Sequence, residues 1–287
     1  MKKVFLSMVL ALLSIAYSNN AMAEKVLKSF NVGGAKTLFV QNLFANVTVR
    51  ASNGSTANVA MSGDKNLISD IIISQDAQGN IRIAGKKNNY NQVTIESNSG
   101  CKSVSITSNN VVVSGGDLVI VNGKVIKGGD LVIVNGKVIK GGNEKVELVN
   151  IEVVVPKGTN INDFHTKQLV VSGLNGKVSA SLLGQDKLNV TQANGMYLEC
   201  SEQSTCRVSQ AIGGLHLDAS DQSKISISGT SLLNVHAEAR GRSEIGITAN
   251  CRDFLAEASG ESEIILHGHA SGRISKSSSG QSEVSVE

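Results

Sequence analysis

The sequence contains no tryptophan, only three tyrosines and a single proline, and it lacks long stretches of helical period. These gaps argue against a helical protein, in which apolar residues recur every three to four positions. What it has instead is 29 glycines and many short segments rich in Val, Ile and Thr. Within these segments apolar and polar residues alternate, as in strands that bury one face, and Gly, Asn and Ser favour the turns between them. The composition therefore predicts an all-β protein.

The sequence also lacks the short motifs that accompany many enzymatic activities. It has no recognisable nucleophile motif, no phosphate-binding glycine loop and no Cys/His set with the spacing of zinc ligands. Sugar-processing clefts usually offer aromatic platforms, which are scarce here. We therefore predict a protein that is not an enzyme and that needs no cofactor.

The first 23 residues have the pattern of a secretory signal peptide. Lys2 and Lys3 precede an apolar run at residues 4–16, and Ala21-Met22-Ala23 places small residues around a cleavage site. The run is shorter than the roughly 20 apolar residues that span a bilayer, which disfavours the alternative of a membrane anchor. We therefore expect an exported protein of the periplasm, the cell surface or the extracellular space, with no membrane-spanning segment after signal cleavage.

The charge of the mature chain is nearly balanced. Of the 27 basic residues, Lys2 and Lys3 lie in the signal segment, so 25 remain against 24 acidic residues. A nucleic-acid partner normally requires a basic patch, so we expect no nucleic-acid partner.

The C-terminal half repeats itself about every 19 residues. Apolar residues recur at spacings of 18 to 20, each followed two positions later by another apolar residue. Strands that repeat in this way stack, so that each coil covers the apolar residues of the previous one. We predict a β-solenoid; a β-sandwich is the alternative, but it does not require columns that stay in register. The members of the first column are Leu169, Leu188, Cys206, Ile225, Ile245, Ile264 and Val284.

The remainder of the chain is less regular. Residues 24–89 contain shorter, unevenly spaced strand segments, which we interpret as the first part of the same β domain or as a sandwich-like cap on it. Residues 90–143 form an insert in which residues 115–127 are repeated identically at 128–140. Each copy has Asn-Gly between two apolar runs, which predicts a hairpin with a type I′ turn, and the two copies form either stacked hairpins or two extra coils. The solenoid itself is assigned to residues 144–287.

Two outward columns of the predicted solenoid carry ionisable residues. His216 and His236 stack in one column, and Asp218 and Glu238 stack in another. These four residues are weak candidates for a metal or ligand face, since imidazole and carboxylate both bind divalent cations. The alternative is a solvated sheet face, on which charges are screened and keep the protein soluble. Arg240 and Arg242 lie near enough in sequence to offset the stacked negative charges.

The chain has four cysteines, an even number that permits disulfides in an exported protein. Cys200 and Cys206 fall on inward columns on either side of one turn. They form either a disulfide or a pair of small buried thiols.

Several of these segments together resemble the GIN-domain family, whose members are described, by inference at family level, as auto-transporter adhesin head domains. The resemblance lies in residues 46–49, 80–85 and 153–158, and in the repeated turns Ser243-Glu244-Ile245 and Ser262-Glu263-Ile264. It implies an exported, solenoid-like all-β domain and carries over no catalytic residues.

The sequence therefore predicts an exported, non-enzymatic binding or scaffold protein of the bacterial envelope, and the resemblance implies an adhesin-like surface module. Its partner would be an envelope or surface component, or another copy of itself. The alternative is a carbohydrate-active β-solenoid enzyme that uses the outward acidic face, because paired carboxylates can act as acid and base.

Overall fold

The protein is nearly all β, with almost no helix, and it forms a β-solenoid of about 7 turns. The computed structural model describes residues 24–32, 36–63, 65–86, 103–106, 111–113, 118–121, 124–127, 131–134, 137–141 and 148–287. Residues 1–23, which the sequence predicts to be a signal peptide, and Cys101 lie outside these residues. None of the helices in the described ranges is long and apolar enough to cross a membrane.

The N-terminal part contains five strands and a short helix. They are β1 (Glu24–Asn31), β2 (Thr37–Ser52), β3 (Thr56–Gly63), α1 (Lys65–Ser69), β4 (Ile71–Gln75) and β5 (Ile81–Gly85). The insert contributes β6 (Ser103–Ile106), β7 (Val111–Val113), β8 (Leu118–Val121), β9 (Lys124–Lys127), β10 (Leu131–Val134) and β11 (Lys137–Gly141).

The C-terminal part is a succession of strands that coil in register. They are β12 (Val149–Pro156), β13 (Asn160–Ser172), β14 (Val178–Leu182), β15 (Lys187–Val190), β16 (Ala193–Cys200), β17 (Thr205–Ala219), β18 (Lys224–Gly241), β19 (Glu244–Gly260), β20 (Glu263–His267), β21 (Ile274–Gly280) and β22 (Glu283–Val286).

The apolar column predicted from the sequence exists as a column of paired residues. Parallel pairing places Leu188 beside Leu169, and each later member beside the previous one up to Val284. Leu188, Ile225 and Ile264 are all fully buried in one continuous core. The β-solenoid prediction is thus confirmed, and the sandwich alternative is wrong for this half.

The same columns continue into the N-terminal part of the chain. Strand β2 pairs in parallel with β13 on one side and with β12 on the other, so that Val47 lies between Leu169 and Ile151. Strand β3 pairs antiparallel with β12, and β1 pairs antiparallel with β3. Strand β5 pairs in parallel with β2, and β4 pairs antiparallel with β5. The N-terminal part is therefore continuous with the solenoid sheet, and antiparallel strands cover that end of it.

A column of serines closes each turn between the two strands of a coil. The hydroxyl of Ser243 lies 2.9 Å from the carbonyl oxygen of Ala219 in the preceding coil, and Ser262 is placed in the same way on Ala239. Ser223 and Ser282 make the equivalent bonds. The stacked hydroxyls therefore bond the backbone of the neighbouring coil.

Glycines allow these turns to stack closely. Gly260 adopts a φ of +83°, and a Cβ atom added there would lie 2.8 Å from the carbonyl oxygen of Gly241 below it. Gly280 repeats the arrangement above Gly260. Only a residue without a side chain fits both the left-handed backbone and the short distance between coils.

Each copy of the tandem repeat contains one pair of antiparallel strands. Strand β8 is antiparallel to β9, and β10 is antiparallel to β11. The two hairpins belong to separate three-stranded sheets, β6-β8-β9 and β11-β10-β7, which are distinct from the solenoid sheet. The Asn-Gly turns themselves lie outside the described residues.

Candidate functional site

One outward face of the solenoid combines aromatic and acidic side chains. It lies on the strand segments that precede the serine turns, because residues between the buried positions of these strands point outward. Parallel register aligns two columns here: an aromatic column of Tyr197, His216 and His236, which the aliphatic Leu255 continues, and an acidic column of Glu199, Asp218, Glu238 and Glu257. We call these two columns together the ladder face.

The rings of the aromatic column stack along the solenoid. The Tyr197 and His216 rings are 4.7 Å apart between centroids and only 3° from parallel. His216 and His236 are 4.8 Å apart and meet edge to face, at 75°. The spacing matches that of neighbouring strands, about 4.8 Å, so the backbone register itself produces the stack.

The acidic column is held together by one guanidinium group. Arg240 Nη1 lies 3.0 Å from both carboxylate oxygens of Asp218, and its Nη2 bonds Glu238. These charges raise the pKa of Arg240, the bond to Asp218 being the main cause. Of the two arginines that the sequence offered as counter-charges, Arg240 fills the role, whereas Arg242 pairs with Glu261 in the neighbouring turn at 2.8 Å.

Tyr197 connects the two columns. Its hydroxyl donates a hydrogen bond of 2.6 Å to Glu199 Oε1, two residues along the same strand. This bond and the carboxylate charge raise the pKa of the Tyr197 phenol, because ionisation would place two negative charges side by side. The phenol is therefore a donor at neutral pH.

A shallow depression adjoins the acidic column. It opens where the strands turn, and serine side chains form much of its lining. Its lining residues are Ser181, Leu182, Glu199, Cys200, Ser201, Asp218, Ser220 and Arg240.

The structure brings the four metal candidates onto one surface, but it pairs them with other groups. His236 Nε2 lies 3.3 Å from Glu238 Oε1, and both Asp218 and Glu238 are engaged by Arg240. Within the described ranges, no three His, Cys, Asp or Glu side chains converge as metal ligands would. A metal on His216, His236, Asp218 and Glu238 therefore stays a prediction, and the fixed positive charge of Arg240 opposes it.

Cys200 and Cys206 lie inside the core as buried thiols. They are close enough to hydrogen-bond, and this bond, with burial, raises the pKa of the Cys206 thiol. Both alternatives from the sequence remain compatible with this contact, so the disulfide stays a prediction. Cys251 is also a buried free thiol, on another coil.

A buried polar group that the sequence analysis did not single out lies where β13 joins the regular coils. Asp163 is only 2% exposed and occupies the column of Val40 and Ala180, and no described residue hydrogen-bonds its Oδ2 atom. Burial is the main cause that raises its pKa to about 8, and the nearby Asp186 carboxylate adds to the shift. The alternation Ile161-Asn162-Asp163 was the available signal, since it places Asp163 on the inward face.

Comparisons with known proteins show similar structures at low identity. A "putative adhesin" from Bacteroides fragilis is 14% identical, with a TM-score of 0.42, over 92% of this chain and 97% of that one. A second "putative adhesin", from Parabacteroides merdae, is 10% identical, with a TM-score of 0.38, over 94% and 98% of the two chains. A "putative lipid binding protein" from Parabacteroides distasonis is 12% identical, with a TM-score of 0.43, over 93% and 98%. No family model and no curated protein matches the chain.

Proposed function

We propose that the protein is an exported, non-enzymatic binding or scaffold protein of the bacterial envelope, an adhesin-like module that binds through the ladder face. Its partner is an envelope or surface component. The observation that carries the proposal is the bridge that Arg240 makes between Asp218 and Glu238 on an outward surface.

This bridge favours a role in ligand binding over a role in acid–base catalysis. A catalytic acid or base must offer its carboxyl oxygens to the substrate. Arg240 bonds both Asp218 and Glu238, so this side chain already uses part of the hydrogen-bonding capacity of each carboxylate. The same charges, fixed in a regular row, offer hydrogen-bond acceptors to a ligand that lies along the solenoid.

The rigidity of the surface supports the same proposal. Side chains on the ladder face are held by buried neighbours on both sides along each strand, such as Leu217 and Ala219 around Asp218. A preorganised surface loses little conformational entropy when it binds. Repetition every coil also presents the same kind of group at a constant spacing, which suits a polymeric or repetitive partner.

Two experiments test the proposal. Protease treatment of intact cells, compared with cells whose outer membrane has been permeabilised, places the protein on the surface or in the periplasm; persistence in the cytosolic fraction would refute export. Purified protein is then tested for binding to isolated envelopes, with Arg240→Glu as the ladder-face variant and Arg242→Glu as the matched control. Binding that falls for Arg240→Glu alone supports the ladder face, whereas equal binding by both variants refutes it.

The alternative, a carbohydrate-active enzyme, has its own test. Glu238→Ala combined with Glu257→Ala should abolish the release of reducing ends from a glycan panel if the acidic column is catalytic. Release by the unaltered protein and loss in the double variant would replace the binding proposal.

A further inference from the structure

One ring face of Tyr197 is open, and its position defines a slot. Parallel register places Tyr197 between His216 on β17 and Ser179 on β14. His216 covers the ring on the β17 side, at 4.7 Å and nearly parallel. The opposite ring face therefore points toward β14, where the aligned side chain is the small Ser179. Tyr197 is 43% exposed in consequence.

Small residues form the floor of the slot, and strand β13 borders its far side. Ser179 and Ser181 are the outward residues of β14. On the next strand, β13, Phe164 is aligned with Ser181 and is 45% exposed. Asn162 is aligned with Ser179, so it lies across the slot from Tyr197, two strand spacings or about 9.6 Å away, whereas Phe164 lies two residues further along β13. A flat ring in van der Waals contact on both sides needs about 7–8 Å, so one ring fits between Tyr197 and β13.

Hydrogen-bond acceptors lie next to the open ring. Glu199 Oε1 accepts the Tyr197 hydroxyl, and no described residue bonds its second carboxylate oxygen, Oε2. Asp218 follows on the next coil, and the shallow depression that both residues line begins at Ser181. Carboxylates beside an aromatic ring suit a ligand with an apolar face and several hydroxyl donors.

The charge of the surface selects among such ligands. The acidic column has four carboxylates, and Arg240 is the cation that bonds within it. This negative excess repels phosphate and carboxylate groups, which excludes nucleic acids and acidic polysaccharides. A neutral sugar combines hydroxyl donors with a C–H face that packs on the electron-rich face of an aromatic ring.

We propose that the slot between Tyr197 and Asn162, above Ser179 and Ser181, binds a neutral saccharide. The sugar ring stacks on the open face of Tyr197, and its hydroxyl groups donate hydrogen bonds to Glu199 and Asp218. This inference rests on the proposed binding function and names the ligand class for the ladder face. It also assigns a binding role to Tyr197, one of the few tyrosines of the chain. The scarcity of tyrosine in the sequence did not predict such a role.

Binding to a panel of immobilised neutral oligosaccharides tests the inference. The panel contains glucose, galactose, mannose and N-acetylglucosamine oligomers, with polygalacturonate as an acidic comparison. We expect binding to at least one neutral oligomer, no binding to polygalacturonate, and at least a tenfold loss of affinity in Tyr197→Ala. Tyr197→Phe keeps the ring and should lose less than fivefold. Ile265→Ala, on another outward face, serves as the control and should bind as the unaltered protein does.

A second variant keeps the test informative if Tyr197→Ala folds poorly. Ser179→Arg leaves every residue of the aromatic column in place but fills the slot, so it should abolish binding while far-UV circular dichroism stays unchanged. Binding that survives Ser179→Arg, or preference for polygalacturonate, would overturn the slot. Envelope binding without any saccharide binding would overturn this inference and leave the proposed function standing, whereas loss of both would overturn the two together.

Discussion

Thr166 donates a hydrogen bond of 2.5 Å to Asp163 Oδ1 inside the solenoid, where neither side chain meets solvent. Buried carboxyl groups are usually paired with a cation or held neutral. Here burial raises the pKa of Asp163 to about 8, even though the bond from Thr166 acts in the opposite direction. Asp163 is therefore mostly protonated at neutral pH, and the coil around it depends on that proton.

This arrangement predicts that folding stability falls as the pH rises from about 4 to about 8. Over that range the unfolded chain releases the Asp163 proton and the folded protein keeps it, so unfolding becomes easier by up to about 1.4 kcal/mol per pH unit. Asp163→Asn removes this contribution, so it should become more stable relative to the unaltered protein as the pH rises. Urea denaturation at pH 5, 6, 7 and 8 measures the difference.

Thr166→Val provides the matched test for the same carboxyl group. It removes a bond that lowers the pKa of Asp163, so the pH dependence should extend above pH 8. A constant free-energy difference between Asp163→Asn and the unaltered protein at all four pH values would contradict a neutral, buried Asp163.

The serine column predicts a contrast between two buried hydroxyls. Ser243→Ala loses the bond to the Ala219 carbonyl, at 2.9 Å, and should cost about 1 kcal/mol of unfolding free energy. Ser204 is equally buried, but its Oγ has no hydrogen-bond partner in the described chain, so Ser204→Ala should be neutral or slightly stabilising. Chemical denaturation of both variants measures the contrast, and equal losses would show that the bond to the neighbouring coil contributes nothing.

The Arg240 bridge predicts a small, salt-sensitive contribution to stability. Its side chain is 53% exposed, so solvent screens the attraction, and Arg240→Ala should cost less than about 1 kcal/mol at low salt. The cost should shrink at 0.5 M NaCl because ions screen the pairs further. Arg242→Ala, which breaks one more exposed pair, is the control and should have almost no effect. A large loss that salt leaves unchanged would indicate lost packing instead.

Cys200 and Cys206 predict slow thiol chemistry in the folded protein. Burial and their mutual hydrogen bond disfavour the Cys206 thiolate, which is the reactive form. We expect neither sulfur to react with a thiol reagent until the protein is unfolded. Counting thiols in denaturant, with and without prior reduction, then decides the pairing in a variant whose Cys101 and Cys251 are replaced by serine: protein isolated from an oxidising compartment should gain two thiols on reduction. An unchanged count would establish a pair of buried thiols.

The apolar columns predict that the loss of stability caused by shortening a column side chain depends on its position along the solenoid. Ile245 is fully buried with a coil on either side, so Ile245→Ala should cost about 2–5 kcal/mol. Val284 lies in the last coil and is partly exposed, so Val284→Ala should cost clearly less. Thermal and urea unfolding measure both. Equal costs would argue against cores that are built up coil by coil.

The sequence predicted the columns through Leu188, Ile225 and Ile264 because their spacing is constant and their strands alternate strictly. It did not predict that Val47 joins the same column, since 104 residues separate it from Ile151, its partner on the other side. An insert of that kind removes the periodicity that makes a repeat visible. Pairing between distant strands depends on the whole fold rather than on local pattern.

Asp163 was missed for a related reason. Pairing between β13 and β2 shifts register between Thr166 and Gln168, and His165 adopts a positive φ of 56°. This irregularity shortens the turn. Fewer residues therefore separate Asp163 from Leu169 along the sequence than separate the equivalent column positions of later coils. The open ring of Tyr197 was also beyond the sequence, which identified its column but not the direction in which its ring stacks.

Because each coil is aligned in parallel on the next, the solenoid can differ in length by whole coils. Residues 225–244 form one period between Ile225 and Ile245, and their removal would bring Ile245 directly onto Cys206 with every other layer intact. Length can therefore change in steps of one layer, about 4.8 Å each, while the chemistry at either end is preserved. Evolution can therefore match the length of the protein to gaps of different width by adding or removing whole coils.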